Sequence, residues 1–187
     1  MFLLKQFLLL VYFQATLFSD HDRSMPKDIL ATVKATVQNI KNSRDAQALS
    51  QIDIDEMSVF LLEEYYNKAT NQQRTEFTTL FRSYVSKYIF TNLRNTFKEA
   101  STTTYGVPEI NKDNAALLST FSINSPLKKQ EIKLRFSLTK TNKGWKITDF
   151  TYAGDRSMLA NLRDDKIRPL LTAGGLDHLL DELRKEQ

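Results

Sequence analysis

The chain contains no cysteine, two histidines and five glycines among its 187 residues. Without cysteine it can form no disulfide bond, thiolate metal site or lipidated cysteine. His21 and His178 alone cannot supply a histidine metal site or a histidine-activated nucleophile of the usual kind. The few glycines lie at turn or cap positions and do not form a phosphate-binding loop. We therefore expect no catalytic residue, no metal and no cofactor.

The charged residues of the chain form no dense cluster of one sign. The net charge is +4, and the lysines and arginines are scattered along the chain. A nucleic-acid-binding protein usually carries a dense basic stripe, so we expect no nucleic acid partner. The 41% hydrophobic and 26% charged content is typical of a globular domain.

The first nineteen residues differ from the rest. Lys5 is their only charge, and a mostly apolar run covers residues 7–18. A basic start, a short apolar stretch and a polar continuation are typical of a secretory signal peptide. An uncleaved anchor or a buried helix is the alternative. We predict a signal peptide over residues 1–19 and a single domain over residues 20–187.

Residues 70–97 form the longest amphipathic pattern of the chain. Thr70 and Gln73 match a capping box at its start. Apolar side chains recur every three or four residues, which places them on one helical face. The members of this face are Phe77, Leu80, Phe81, Tyr84, Val85, Tyr88, Ile89 and Leu93. Something large must cover so broad a face.

The second half of the chain alternates with period two. Residues 129–140 give the clearest strand, with Ile132, Leu134 and Phe136 on one face. The turn signal at Asn142 to Gly144 connects it to a partner strand at residues 145–152. The partner's apolar pattern is mixed, which indicates a bulge or two partly covered faces. With further strands near 101–107 and 115–123 and helices after them, we predict an α+β fold with about four antiparallel strands.

The apolar helix face and the apolar strand face can close on each other as a filled core. Alternatively, they leave a cavity for an acyl chain or another apolar ligand. Periodicity alone favours the filled core. Asp149, flanked by apolar residues in a strand, is the one candidate for acid–base chemistry, although a structural hydrogen bond to loop backbone or to Arg163 fits it better.

Two stretches resemble a known family. The first contains Asp53, Ile54, Met57 and Tyr66, then the run from Ala69 to Arg74, then Phe77, Phe81 and Tyr88. The second contains the run from Trp145 to Phe150, Gly154, the run from Ser157 to Arg163, and Gly175 with Leu176, Leu179 and Leu183. In order and spacing they are similar to the MlaC family, also called toluene-tolerance or ABC-transporter auxiliary proteins, over residues 26–184.

The resemblance implies a periplasmic carrier that binds phospholipid and is not an enzyme. Its expected fold is a nuclear-transport-factor-like cone, in which helices wrap around a strongly twisted antiparallel sheet and enclose an apolar pocket. Its expected partners are an outer-membrane lipoprotein complex and an inner-membrane ABC transporter with an MCE-domain subunit, and we expect a monomer. On this hypothesis the acyl-chain pocket is lined by Phe81, Tyr84, Val85, Tyr88, Leu134, Phe136, Trp145 and Phe150. A small cone-fold enzyme, of isomerase or hydratase type, and an interaction module with a filled core are the alternatives.

Overall fold

The computed structural model describes residues 20–124, 129–152 and 156–187. The predicted signal peptide, residues 1–19, lies outside the described residues, as does Gly154 of the second family motif. Within these ranges, no helix combines the length and the apolar character that a membrane span requires.

Helices occupy both ends of the described chain. The first group is α1 (Asp20–Lys41), α2 (Asp45–Leu49), α3 (Ile54–Leu62), α4 (Glu64–Lys68), α5 (Asn71–Tyr84), the π-helical turn π1 (Val85–Ile89) and α6 (Phe90–Glu99). The second group is α7 (Met158–Leu162), the π-helical turn π2 (Arg163–Ile167) and α8 (Arg168–Lys185). The predicted long helix is therefore present, but it is interrupted by one wider π-helical turn.

Two helix starts are fixed by side chains that the sequence identifies. The Asp53 carboxylate accepts a hydrogen bond from the Glu56 amide at 3.0 Å and so caps α3. The Thr70 hydroxyl accepts from the Gln73 amide at 3.2 Å, while the Gln73 side chain accepts from the Thr70 amide at 2.9 Å. The predicted capping box at α5 is thus confirmed.

Five antiparallel strands form one open sheet in the order β1-β3-β4-β5, with β2 also paired to β3. The strands are β1 (Ala100–Tyr105), β2 (Glu109–Asn111), β3 (Asn114–Asn124), β4 (Lys129–Thr141) and β5 (Gly144–Tyr152). The α+β prediction is confirmed, and β2 is the strand that the sequence did not reveal. Three residues are too few for a period-two pattern to be recognised.

A β-bulge explains the mixed pattern of β5. Ser137 pairs with Asp149 and Leu138 pairs with Ile147, so Thr148 is an extra residue opposite β4. The extra residue shifts the alternation by one position. Trp145 and Ile147 before the bulge and Phe150 after it consequently all face the core, each 4% exposed or less.

The helices cover one face of the sheet, where most of the core lies. Alternate β3 residues, from Ala115 to Phe121, are buried, while the residues between them are partly or fully exposed. The Phe97 ring of α6 stacks on the Phe121 ring of β3 with centroids 4.8 Å apart. The Phe136 and Phe150 rings of the central strands meet edge to face at 5.6 Å. The other face of the sheet carries mostly polar side chains.

The outer edge of β5 is covered by two chain segments. The Asp53 amide donates to the Ile147 carbonyl at 2.8 Å, and the Ile147 amide donates to the Gln51 carbonyl at 2.9 Å. Farther along the strand, Thr151 pairs with Ser157 in an antiparallel bridge. These contacts use the backbone groups that an edge strand otherwise leaves free.

Candidate binding pocket

A cavity of about 580 Å³ lies between the long helical segment and the segment that follows β5. This volume is within the range of about 300–1,000 Å³ that small-molecule pockets occupy. Its described lining residues are Tyr84, Tyr88, Ile89, Asn92, Tyr152, Met158, Asn161, Leu162, Asp165 and Lys166. The cavity thus has a mainly apolar and aromatic wall with a few polar groups.

Both π-helical turns of the described chain flank this cavity. Tyr88 and Ile89 belong to π1, whereas Asp165 and Lys166 belong to π2. A π-helical turn contains one residue more than an α-helical turn and is found frequently at functional sites. Each insertion changes which side chains the following turn presents to the cavity.

Three tyrosines supply the aromatic part of the wall. The rings of Tyr84 and Tyr88 lie 4.8 Å apart, centroid to centroid. Burial raises the pKa of Tyr84, an effect that the nearby charge of Lys166 opposes. Burial likewise raises the pKa of Tyr152, partly offset by a hydrogen bond from Thr96. The raised pKa keeps the Tyr84 and Tyr152 phenols protonated at neutral pH, so these two side chains present neutral rings with polar tips.

A cation stands at the rim of the cavity. The Lys166 ammonium lies 4.8 Å from the centroid of the Tyr84 ring. It also donates to both carboxylate oxygens of Glu186, at 2.5 and 2.6 Å. The Lys166 and Glu186 side chains are 27% and 31% exposed, so this ion pair is in contact with solvent.

An ion network fixes the helical turn that carries Lys166. Asp164 receives hydrogen bonds from Arg163 at 2.8 Å and from Arg156, and it pairs with Arg168 at 3.0 Å. The hydrogen bonds from Arg163 and Arg156 and the charges of the arginines lower the pKa of Asp164 to about 2. Arg168 also binds Glu63 at 2.6 Å and lowers its pKa, which connects the end of α3 to π2 and α8.

The structure divides the eight predicted pocket residues into two groups. Tyr84 and Tyr88 line the cavity. The other six are buried in the core at 4% exposure or less and are not among the lining residues: Phe81, Val85, Leu134, Phe136, Trp145 and Phe150. That these eight residues contact a ligand stays a prediction, although only two of them adjoin this cavity.

Most of the cavity wall was not identified from the sequence. Tyr152 ends the strand predicted at residues 145–152, and Met158, Asn161 and Leu162 lie in the family motif from Ser157 to Arg163, but nothing in the sequence marks them as pocket residues. The pairing of amphipathic tyrosines with one lysine is the signal that could have marked them, because such residues favour boundaries between apolar and wet surroundings. The bulge in β5, which decides the direction of Tyr152, is not readable from spacing alone.

Asp149 serves as a helix cap. Its carboxylate accepts from the Leu159 amide at 3.1 Å and from the Thr151 hydroxyl at 3.5 Å. Ser157 caps the same helix by accepting from the Ala160 amide at 2.9 Å. The expected structural hydrogen bond is confirmed, with backbone rather than Arg163 as the partner. Asp149 is not among the residues that line the cavity.

Metal binding receives no support from the described ranges. There, no three histidine, aspartate or glutamate side chains lie close enough together to hold a metal ion. The acidic side chains of the ion network are instead occupied by arginines.

Comparison with known proteins identifies a solved structure of similar fold. Among curated proteins, none is significantly similar in sequence. The structure of a phospholipid-binding protein from Ralstonia solanacearum, in complex with a phospholipid, is similar with a TM-score of 0.68 and 16% identity, over 86% of this chain and 95% of that one. At this identity the likeness shows a common fold. A variant of a chain named Rd1NTF2_05 reaches a TM-score of 0.30 and 14% identity over 36% of this chain and 60% of its own, too little for an argument.

The sequence itself identifies the family. The family model described as "MlaC protein" matches residues 26–185, which is most of the chain and nearly the range over which the two motifs were recognised. The protein therefore belongs to the MlaC family.

Proposed function

We propose that this protein is a carrier that binds phospholipid by taking its acyl chains into the cavity between π1 and π2. The observation that carries the proposal is the cavity itself, about 580 Å³ with a wall of tyrosines and aliphatic side chains. Each methylene moved from water into such a wall contributes roughly 0.8 kcal/mol. Binding of this kind needs no catalytic group.

Family membership and fold support the same proposal. The chain belongs to the MlaC family, and the Ralstonia solanacearum protein of the same fold binds a phospholipid. The lining residues of the cavity come from α5, π1, α6, β5, α7 and π2. A ligand there would therefore contact both the helical layer and the end of the sheet.

An enzyme on this fold would require a polar dyad inside the cavity. Asp149 was the one candidate, and its carboxylate is engaged by the Leu159 amide and the Thr151 hydroxyl. In the described lining, the ionisable groups that carry charge at neutral pH are Asp165 and Lys166, at the rim. These features favour a binding protein over an isomerase or hydratase.

The carrier would work in the periplasm, after export by the segment at residues 1–19. It would exchange lipid between an outer-membrane lipoprotein complex and an inner-membrane ABC transporter with an MCE-domain subunit, as the family resemblance implies. The expected mature protein has lost residues 1–19, which the intact mass of protein from a diderm host measures. A mass equal to that of the full chain would contradict the cleaved signal.

Lipid binding is tested by uptake of a fluorescent phosphatidylethanolamine from vesicles into delipidated protein. The informative variant is Tyr88→Glu, which places a charge in the wall where the side chain is 38% exposed. The matched control is Val59→Glu, at a helical position with 41% exposure outside the cavity. We expect loss of uptake in the first variant only, with unchanged circular dichroism in both.

Two results would contradict the proposal. One is protein from a diderm host that yields no phospholipid on extraction and takes up none from vesicles. The other is equal uptake by wild type and Tyr88→Glu, which would show that the ligand lies elsewhere. The shuttle step is tested separately, by comparing the rate of lipid transfer from loaded protein to plain vesicles with the rate to vesicles that contain the inner-membrane transporter. Equal rates would contradict the proposal that this transporter receives lipid from the protein.

A further inference from the structure

Lys166 occupies a special position among the cavity residues. Of the ten described residues that line the cavity, it alone carries a positive charge. Its ammonium lies 4.8 Å from the centroid of the Tyr84 ring. A lysine in this position keeps its apolar part against the wall and its charge at the rim.

The partner of Lys166 comes from outside the cavity. Glu186 follows α8 and is not a lining residue, yet both of its carboxylate oxygens receive hydrogen bonds from Lys166. Lys87 holds the same segment by donating to the backbone carbonyls of Glu186 and Gln187 at 2.6 and 3.1 Å. Glu186 therefore presents two anionic oxygens to the rim cation from a position that leaves the cavity open.

An ion pair of this exposure is exchangeable. Pairs in contact with solvent typically contribute about 0–1 kcal/mol, because hydration competes with the attraction. The two non-bridging oxygens of a phosphodiester offer Lys166 the same number of acceptors as the Glu186 carboxylate. A phosphate brought to the rim by chains buried in the cavity could thus replace the carboxylate at little cost.

We propose that Lys166 binds the phosphodiester of a phospholipid whose chains occupy the cavity, and that Glu186 competes with this phosphate for the ammonium. The inference rests on the proposed function. It assigns headgroup selectivity to one residue: the protein prefers a lipid with an anionic phosphodiester to a neutral lipid with the same chains.

The charges at the rim explain why a lipid phosphate should bind there and free phosphate should not. Lys87, whose ammonium lies 5.5 Å from the centroid of the Tyr88 ring, and Lys166 supply two positive charges, which Asp165 and Glu186 balance. Without an excess of positive charge, the rim does not attract a free anion, which also gains no apolar contact. A phospholipid gains the burial of its chains as well, so the phosphate is bound only as part of the lipid.

The experiment compares dioleoylphosphatidylglycerol with dioleoylglycerol, which has the same chains and no phosphate, on the delipidated full chain. We expect wild type to bind the phosphatidylglycerol more tightly. Lys166→Met should lower the ratio of the phosphatidylglycerol affinity to the dioleoylglycerol affinity about tenfold, since it removes a charge-assisted hydrogen bond that only the phosphate accepts. Glu186→Gln should raise phosphatidylglycerol affinity two- to fivefold, because the competing anion is removed.

A matched control is available in the same region. Lys185 pairs with Glu182 at 2.5 Å, as Lys166 pairs with Glu186, but neither Lys185 nor Glu182 lines the cavity. We expect Lys185→Met and Glu182→Gln to leave the affinity ratio of the two lipids at the wild-type value. Millimolar inorganic phosphate should neither bind the lipid-free protein nor displace phosphatidylglycerol.

The outcomes are distinct. Equal loss of both lipids in Lys166→Met would assign Lys166 a packing role and overturn the inference, as would an unchanged ratio of the two affinities. Binding of inorganic phosphate alone would indicate a site for the free anion and overturn it too. If wild type binds dioleoylglycerol but shows no preference for phosphatidylglycerol, only this inference fails; if it binds neither lipid, the proposed function fails and the inference falls with it.

Discussion

Phe81 and Tyr88 lie seven residues apart on one helical segment, and sequence periodicity treats them alike. Phe81 is 2% exposed and stacks on Phe77 with ring centroids 5.9 Å apart. We expect Phe81→Ala to lower the free energy of unfolding by about 3–5 kcal/mol, the cost of an aromatic truncation in a packed core. For a chain of this length that corresponds to a fall in Tm of roughly 6–20 °C.

Tyr88→Ala should behave in the opposite way. Tyr88 is 38% exposed, and its ring packs on Tyr84 at 4.8 Å. Loss of that ring contact lowers the free energy of unfolding by about 1 kcal/mol. Removing roughly 60 Å² of acyl-chain contact, at about 25 cal/mol per Å², weakens phospholipid binding by ~1.5 kcal/mol, or more than tenfold.

The assay combines urea unfolding, followed by circular dichroism, with titration of the delipidated protein by fluorescent phospholipid. Phe81→Ala should lose stability and, where folded, bind lipid with nearly wild-type affinity. Tyr88→Ala should lose only about 1 kcal/mol of stability, and its affinity for the lipid should fall more than tenfold. If Phe81→Ala binds lipid as weakly as Tyr88→Ala while folded, then the core side of the helix also contacts the ligand and the division of the wall is wrong.

Three further outcomes are expected. Arginines, Arg163 first, lower the pKa of Asp164 from 3.8 to about 2. This carboxylate therefore contributes stability that is present above pH 4 and lost as the pH falls towards 2. Urea unfolding at pH 5 and at pH 2.5 should show a smaller loss of stability on acidification in Asp164→Asn than in wild type. Helix α8 is kinked at Gly174 and Gly175, and Gly175 has φ +73° and ψ −164°, a region essentially restricted to glycine. Gly175→Ala should therefore lower the free energy of unfolding by about 1–3 kcal/mol in the same assay. An unchanged urea midpoint would contradict this backbone conformation. Asp149→Ala should cost ~1 kcal/mol through loss of the hydrogen bond to the Leu159 amide yet leave lipid uptake intact, whereas selective loss of uptake would give Asp149 a role in the cavity.

The fold was largely predictable because its main signals are local. The capping box at Thr70, the cap at Asp53 and the turn before Gly144 each depend on a few neighbouring residues, and each is present. The alternation along β4 predicted its buried face for the same reason. The π-helical turns left no such signal, because the four-residue spacings from Tyr84 to Tyr88 and from Val85 to Ile89 also fit an ordinary α-helical turn.

The cavity was harder to predict. A side chain that packs in a core and one that lines a cavity are both apolar, so periodicity cannot separate Phe136 from Tyr84. What separates them is the distance to the next wall, which depends on how β5 and the helices after it meet the long helical segment. Tyr152 reaches the cavity only because the bulge at Thr148 shifts the strand by one residue.

The backbone hydrogen bonds of Gln51 and Asp53 with Ile147 join positions nearly one hundred residues apart in the chain. Contacts of such separation form slowly, because the entropy of closing the intervening loop is lost before the contact is gained. The β4–β5 hairpin, by contrast, is local and can form first. Residues 51–53 therefore gain their backbone partners only after β5 exists, so a chain shortened before Gly144 would leave the start of α3 without its anchor. We expect the two halves of the protein to fold as one cooperative unit, with the N-terminal helices completed last.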